Sequence, residues 1–198
     1  MAARLNLNIR QGETFLRVIR WETPPFIYKP ITAILQSGPV SITSTGHTLK
    51  TGWRVAVVSV NGMEEINAVF DPPRDHEFKQ CIVVDPNTVQ INTVNSSDYT
   101  AYTSGGYLQF YTPVDMTSYT ARMTIKNKVG GVIQLALVSP GDIVIDNTNH
   151  TITLTITATA TAAITWKTGV YDFEMVSPTG VVTTIYTGLV SVTKEVTT

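Results

Sequence analysis

Few residues in this chain have side chains that could do chemistry, and they are scattered. His47 stands in Gly46-His47-Thr48-Leu49-Lys50-Thr51-Gly52 with no carboxylate or cysteine at relay or ligand spacing, so it reads as a turn residue rather than a general base. Asp71, Asp75, His76 and Glu77 share a proline-rich loop and offer oxygen ligands to a hard cation. They lack the every-second-residue Asp/Asn pattern that such loops use, so no metal is expected. Cys81 lies in the apolar run Cys81-Ile82-Val83-Val84 and reads as a small core residue, with nothing to mark an activated thiolate. There is no Gly-x-Ser-x-Gly elbow, no paired zinc-ligand motif and no Gly-rich nucleotide loop. The expectation is therefore no catalytic residue, no cofactor and no enzyme. What remains are aromatic side chains: Trp53, Tyr99, Tyr102 and Tyr107 could stack on a glycan or meet a partner protein. Burial in a core accounts for them equally well.

The elements that would position these residues are strands. Ile152, Leu154 and Ile156 alternate with Thr151, Thr153, Thr155 and Thr157, and Tyr171, Phe173 and Met175 alternate with Asp172 and Glu174. Period-2 alternation predicts half-buried strands with one dry face and one wet face. Ser177-Pro178-Thr179-Gly180 supplies the turn, Val181 to Tyr186 the return strand, and Leu189 to Val196 a further strand beyond Gly188. Trp166 and Phe173 are expected in the core.

Composition agrees. The net charge is −1, the pI is near 6.3, and only 15% of residues are charged. That balance argues against a nucleic-acid partner, which would call for clustered Lys and Arg. No apolar run approaches the roughly 20 residues of a membrane span, so no membrane partner is expected. One cysteine allows no internal disulfide. A Thr- and Val-rich chain with so neutral a surface suits packing against neighbouring subunits.

Taken in order, Ile9 to Trp21 reads as a first strand, stopped by Glu22-Thr23-Pro24-Pro25. From Ile31 to Tyr107 the texture changes to short strands: Val40 to Thr43, Trp53 to Val60, Cys81 to Val84 and Thr88 to Asn92. Asn61-Gly62 is the best two-residue turn signal. Strands at such even spacing suggest a small barrel or sandwich. Tyr119 to Lys126 and Val132 to Val138 follow, around Gly130-Gly131. The one helical stretch is Thr159 to Trp166, with Thr159 as its N-cap.

Two resemblances nest within this order. Gly46 to Gly52, then Val60-Asn61-Gly62-Met63-Glu64-Glu65-Ile66-Asn67, then Asp85-Pro86-Asn87-Thr88, then Tyr99 to Gly106 resemble a small β-barrel module of tailed-phage structural proteins. That module is similar to the first-catalytic-cysteine half-domain of ubiquitin-activating enzymes. The flanks are similar to immunoglobulin-like domains of phage baseplate and tail proteins: Gly12-Glu13-Thr14-Phe15 with Trp21, then Pro113 to Met123, then Trp166, Gly169-Val170-Tyr171-Asp172 and Pro178-Thr179-Gly180. The pattern departs at Asp71 to Lys79. The resemblance implies an all-β chain in which an immunoglobulin-like antiparallel β-sandwich, residues 1–30 plus 108–198, is interrupted by a small β-barrel, residues 31–107.

It further implies a structural protein of a tailed bacteriophage virion, located in the tail at the baseplate or fibre attachment and made in the host bacterial cytoplasm. Its partners would be other virion tail proteins and copies of itself in a symmetric homo-oligomer. A receptor- or glycan-binding module of the tail and a head decoration protein are the alternatives.

Overall fold

The fold is given by a computed structural model that describes residues 2–195. Along the chain come β1 (Ala3–Arg4), β2 (Leu7–Arg10) and β3 (Phe15–Ile19). Then follow β4 (Glu22–Pro30), β5 (Ala33–Leu35), β6 (Val40–Thr43), β7 (Arg54–Asn61), β8 (Lys79–Gln80), β9 (Ile82–Asp85), β10 (Thr88–Ile91) and β11 (Ser104–Pro113). The last group is β12 (Thr120–Lys126), β13 (Ile133–Val138), β14 (Ile143–Asp146), β15 (Thr151–Ile156), α1 (Ala158–Ala162), β16 (Thr168–Val176) and β17 (Val182–Thr193). The chain is all-β and divides into two compact units, Met1–Trp21 with Pro113–Thr198, and Glu22–Thr112.

The second unit is wider than the 31–107 span read from sequence. β4 and β11 are neighbours in one sheet, so both belong to it, β11 as far as Thr112. Pro24 and Pro25 do not stop the strand. β4 is the last strand of its sheet and has a ladder on one side only, where a missing N–H is tolerated.

The first unit is a sandwich. One sheet runs β1-β17-β16-β12-β13, with β2 also on β17; the other runs β14-β15-β3. This is the pairing order of immunoglobulin-type sandwiches. The inner faces form one core, in which the alternation is realised residue by residue: Ile152, Leu154 and Ile156 from β15 meet Tyr171, Phe173 and Met175 from β16 and Ala121, Met123 and Ile125 from β12. Trp166 is only half-buried, packed on the edge of this core.

Four local readings change. The expected first strand is two strands in two different sheets, because Gly12 turns with φ +76 between β2 and β3. β1 and β2 pair in parallel with β17, so the sheet is not purely antiparallel. Gly188 does not interrupt β17; it lies inside it, and a Cβ there would collide with the Leu5 carbonyl where the N-terminal segment crosses. The expected extension of the last strand to Val196 lies outside the described residues. In α1 the N-cap is Thr157, two residues earlier than expected, its hydroxyl accepting the Ala160 N–H at 3.2 Å.

The second unit closes on itself. Its sheets run β4-β11-β7-β8 and β5-β6-β10-β9. β4 leads into β5 at Ile31 and Thr32, whose N–H groups bond Gly106 in one sheet and Thr43 in the other. β8 leads into β9 at Cys81, whose N–H donates to the Trp53 carbonyl. Eight segments thus act as six strands of a small barrel whose two sheets run on into each other at both corners, filled by Val40, Ile42, Val55, Val57, Val89, Leu108 and Phe110. Asn61-Gly62 ends β7 but makes no hairpin. Gly62, at φ +88, turns the chain into a 3-10 turn at Glu64–Ile66 instead.

Candidate functional site

The aromatic residues singled out from sequence do not form one platform. Trp53 is 4% exposed and packs its ring on Phe110, centroids 6.0 Å apart, so it is barrel core and not a contact residue. In an alternating strand the same spacing serves either role. Tyr99 and Tyr102 pack half-buried on that core, and the Tyr102 hydroxyl donates to the carbonyls of Ile31 and Gly105. Only Tyr107 stands out, 42% exposed and edge-on to Tyr28 at 6.1 Å. Tyr28, itself half exposed, was missed because the adjacent prolines disguised its strand.

His47 is buried and fully used. Its Nδ1 accepts the Leu49 N–H at 3.0 Å, so its Nε2 carries the proton and donates to the Asp85 carbonyl at 3.0 Å. The ring pins the loop before β7 to the β9–β10 turn. Cys81 is buried at the corner where the barrel sheets join, its thiol 3.9 Å from the Lys50 carbonyl.

The charged loop is a self-contained fold rather than a ligand cage. Glu77 accepts the N–H groups of Val69, Phe70 and Arg74. Arg54 holds Asp75 at 2.9 Å, and the Arg74 guanidinium lies 3.4 Å above the Phe70 ring. Burial pushes the Glu77 carboxyl up, but the three backbone donors and nearby His76 outweigh it, and the net shift is downward. Glu65 is lowered in the same way by the Thr100 N–H and hydroxyl. Among the described residues no group of three or more His, Cys, Asp or Glu is placed to hold a metal ion.

Each unit carries a concavity among its described residues. A cleft of about 300 Å³ in the barrel unit has an apolar floor of Val55, Val57, Ile91 and Val94, with Tyr99 and His76 at its mouth. A broader trough of about 700 Å³ lies on the outer face of the larger sandwich sheet. Its floor is set by register: Thr124 stands opposite Asp172, which stands opposite Thr187. Arg122 beside it is held by Glu174 at 2.6 Å. The hairpin carrying Val129 and Gly130 forms one wall, and Arg4 and Leu189 the other. In the barrel cleft His76 and Glu77 stand side by side among the lining residues, with Glu65 and Lys79, and the Glu77 carboxylate is committed to its three backbone donors. No helix is long and apolar enough to cross a membrane.

On the sandwich, Asp115 and Asp146 act as turn staples. Asp115 accepts from the Thr117 hydroxyl and N–H and from Asn147; Asp146 accepts from the Asn149 side chain and N–H and from Thr148. These donors hold both carboxyls below their ordinary range, as the Asn87 N–H does for Asp85. A carboxyl with a depressed folded pKa contributes stability above its unfolded value, and that stability is lost as pH falls through the folded value. The unfolding midpoint is thus expected to be flat from pH 7 to 5 and to fall below about pH 4. Paired Asp115→Asn and Asp146→Asn substitutions should flatten that fall. A melting temperature unchanged down to pH 2.5 would refute the assignment.

No protein-family model matches the chain, and no curated protein matches it.

Proposed function

We propose that this chain is a non-enzymatic structural protein of a tailed bacteriophage virion, in the tail at the baseplate or fibre attachment, acting through assembly with copies of itself and other virion proteins. The observation that carries the reading is the segregation of the two motif sets. All four barrel-type motifs, from Gly46 to Gly106, fall inside the closed barrel unit, while the motifs at Gly12–Trp21, Pro113–Met123, Trp166 and Gly169–Gly180 fall inside the sandwich. Two separate resemblances thus coincide with two separate folding units. The sandwich has the strand order of the immunoglobulin-like domains that its motifs resemble.

The assembly mechanism follows from the surface. Glu77, Asp85, Asp115, Asp146 and the buried His47 staple loops, while apolar side chains such as Val129, Val132, Ile133 and Val138 are left exposed on the sandwich. The glycan-binding alternative loses Trp53, which is core, and keeps Tyr107 with Tyr28 and Tyr99 at the mouth of the cleft. The test is to locate the chain in density of an intact virion, with mass spectrometry of purified particles as the first step. Its presence there at a symmetric copy number supports the reading. Presence in particles together with retention of purified protein on a host-glycan array would replace it by the receptor reading, and absence from particles would overturn both.

A further inference from the structure

A sheet that ends without protection invites a further strand, and natural edges are blunted by charge, proline or a bulge. In the barrel unit the terminal strands are blunted: β4 carries three prolines and Lys29, β8 has Lys79, β9 has Asp85, and β5 is only three residues long. The sandwich has four sheet ends, and three carry a charge: the β1/β2 edge has Arg4 and Arg10, β3 has Arg17, and β14 has Asp146. β13, Ile133-Gln134-Leu135-Ala136-Leu137-Val138, has no charge and no proline. Its one irregularity sits at its first residues, opposite Ile125 and Lys126, and Leu135 to Val138 run in regular register with β12. The surroundings are apolar as well: Val129 is 89% and Val132 73% exposed on the hairpin leading in, and Ile133 and Val138 are more than half exposed.

We propose that β13 is a homotypic interface, pairing antiparallel with β13 of a second copy of this chain. The occupant follows from the strand's own chemistry. A neutral edge offers a charged partner nothing to select, whereas against itself it brings no like charges together. Residues directly opposite in an antiparallel pair share a face, so the register must keep inward residues opposite inward ones. Leu135 and Leu137 face the core side, opposite Ile125 and Met123, while Ala136 and Val138 face outward with Thr124 and Arg122. A two-fold axis at Ala136 meets this condition. It sets Leu135 against the copy's Leu137 and Ala136 against the copy's Ala136. The interface is isologous and joins two sandwich sheets into one continuous sheet. The inference rests on the assembly reading only in naming which surface self-association uses.

The axis makes a sharp test. A Cα separation of about 4.5–5.5 Å across an antiparallel pair lies within disulfide reach, so Ala136→Cys in the full chain should cross-link to its own copy under mild oxidation. Cys81, being buried, does not compete. Cross-linking is expected at least about tenfold faster than for Val144→Cys on the other sheet, which lies off the axis. In sedimentation, Ala136→Lys should weaken self-association at least about tenfold, and Ala136→Thr should retain it. Ala136 is exposed, so an unchanged melting temperature of the lysine variant verifies that it folds. Self-association that survives Ala136→Lys, or equal cross-linking at both cysteines, overturns this edge while leaving assembly intact. A wild-type chain that stays monomeric and captures no virion protein overturns both.

Discussion

Replacing Phe173 by alanine is expected to cost about 3–5 kcal/mol, because the ring is fully enclosed at the centre of the sandwich and its removal leaves a cavity. Phe173 sits on β16, which has a paired strand on each side; it stands opposite Met123 of β12 and Tyr186 of β17. Its neighbours along the buried face, Tyr171 and Met175, are equally enclosed and are held by those same two ladders, so little collapse into the space is possible. The Tyr171 hydroxyl is bound to the Leu5 carbonyl at 2.7 Å, which further limits its movement. A loss of this size is a large share of the about 5–15 kcal/mol that holds typical domains folded. Denaturant unfolding should show a lower midpoint with an unchanged slope. Leu16→Ala, on the exposed face of β3, should stay within about 0.5 kcal/mol and serves as the control. An unchanged midpoint for the Phe173 variant would mean that the buried face of β16 has been misassigned.

The same site illustrates an alkaline limit. Burial pushes the Tyr171 hydroxyl up to about 12, with Tyr186 adding to the shift and Arg17 opposing it. A raised folded pKa contributes stability that is intact below the unfolded value, near 10, and lost as pH rises towards the folded one. Base-induced unfolding between these limits should be weakened in Tyr171→Phe, as read from the melting temperature against pH.

Legibility in the sequence depended on whether a residue's role was decided locally. The Thr-Ile alternation of β15 and the Tyr-Phe-Met alternation of β16 fix which face is dry, since pleating leaves no other arrangement, and both faces are as read. The two-unit organisation was visible as a change of texture. Its exact seam was not, because a strand holding Pro24 and Pro25 looks like a loop until its one-sided position is known. Gly188 looked like a break because its partner, the Leu5 carbonyl, is remote in sequence. Trp53 was ambiguous for the same reason: a tryptophan in a strand shows its ring to solvent or to Phe110 according to a register that only pairing reveals. The edge at β13 was invisible, since being an edge is a property of what fails to pair with it.

Joining Trp21 to Pro113 through a short glycine-containing turn, in place of Glu22–Thr112, is expected to leave a folded sandwich. Every residue of the sandwich core comes from the flanking segments, so no buried apolar side chain is removed from it. The two exits are already adjacent: the Val114 N–H donates to the Trp21 carbonyl at 2.9 Å, and Trp21 packs edge-on to Tyr119 at 5.8 Å. Cutting a connection of about 90 residues to about 4 removes between four and five doublings of loop length. At about 0.6 kcal/mol each, that relieves on the order of 2.7 kcal/mol of closure entropy. The barrel, residues 22–112, should fold alone for parallel reasons. It has its own core, and the Thr112 hydroxyl bonds the Pro25 carbonyl at 2.6 Å, fixing its first and last strands together. Circular dichroism and calorimetry on both pieces decide the matter. Two separate cooperative melts mean that the sandwich carries the barrel as an independent insert. An unfolded sandwich, alongside a full chain that melts in one transition, would mean that the two units fold only as one.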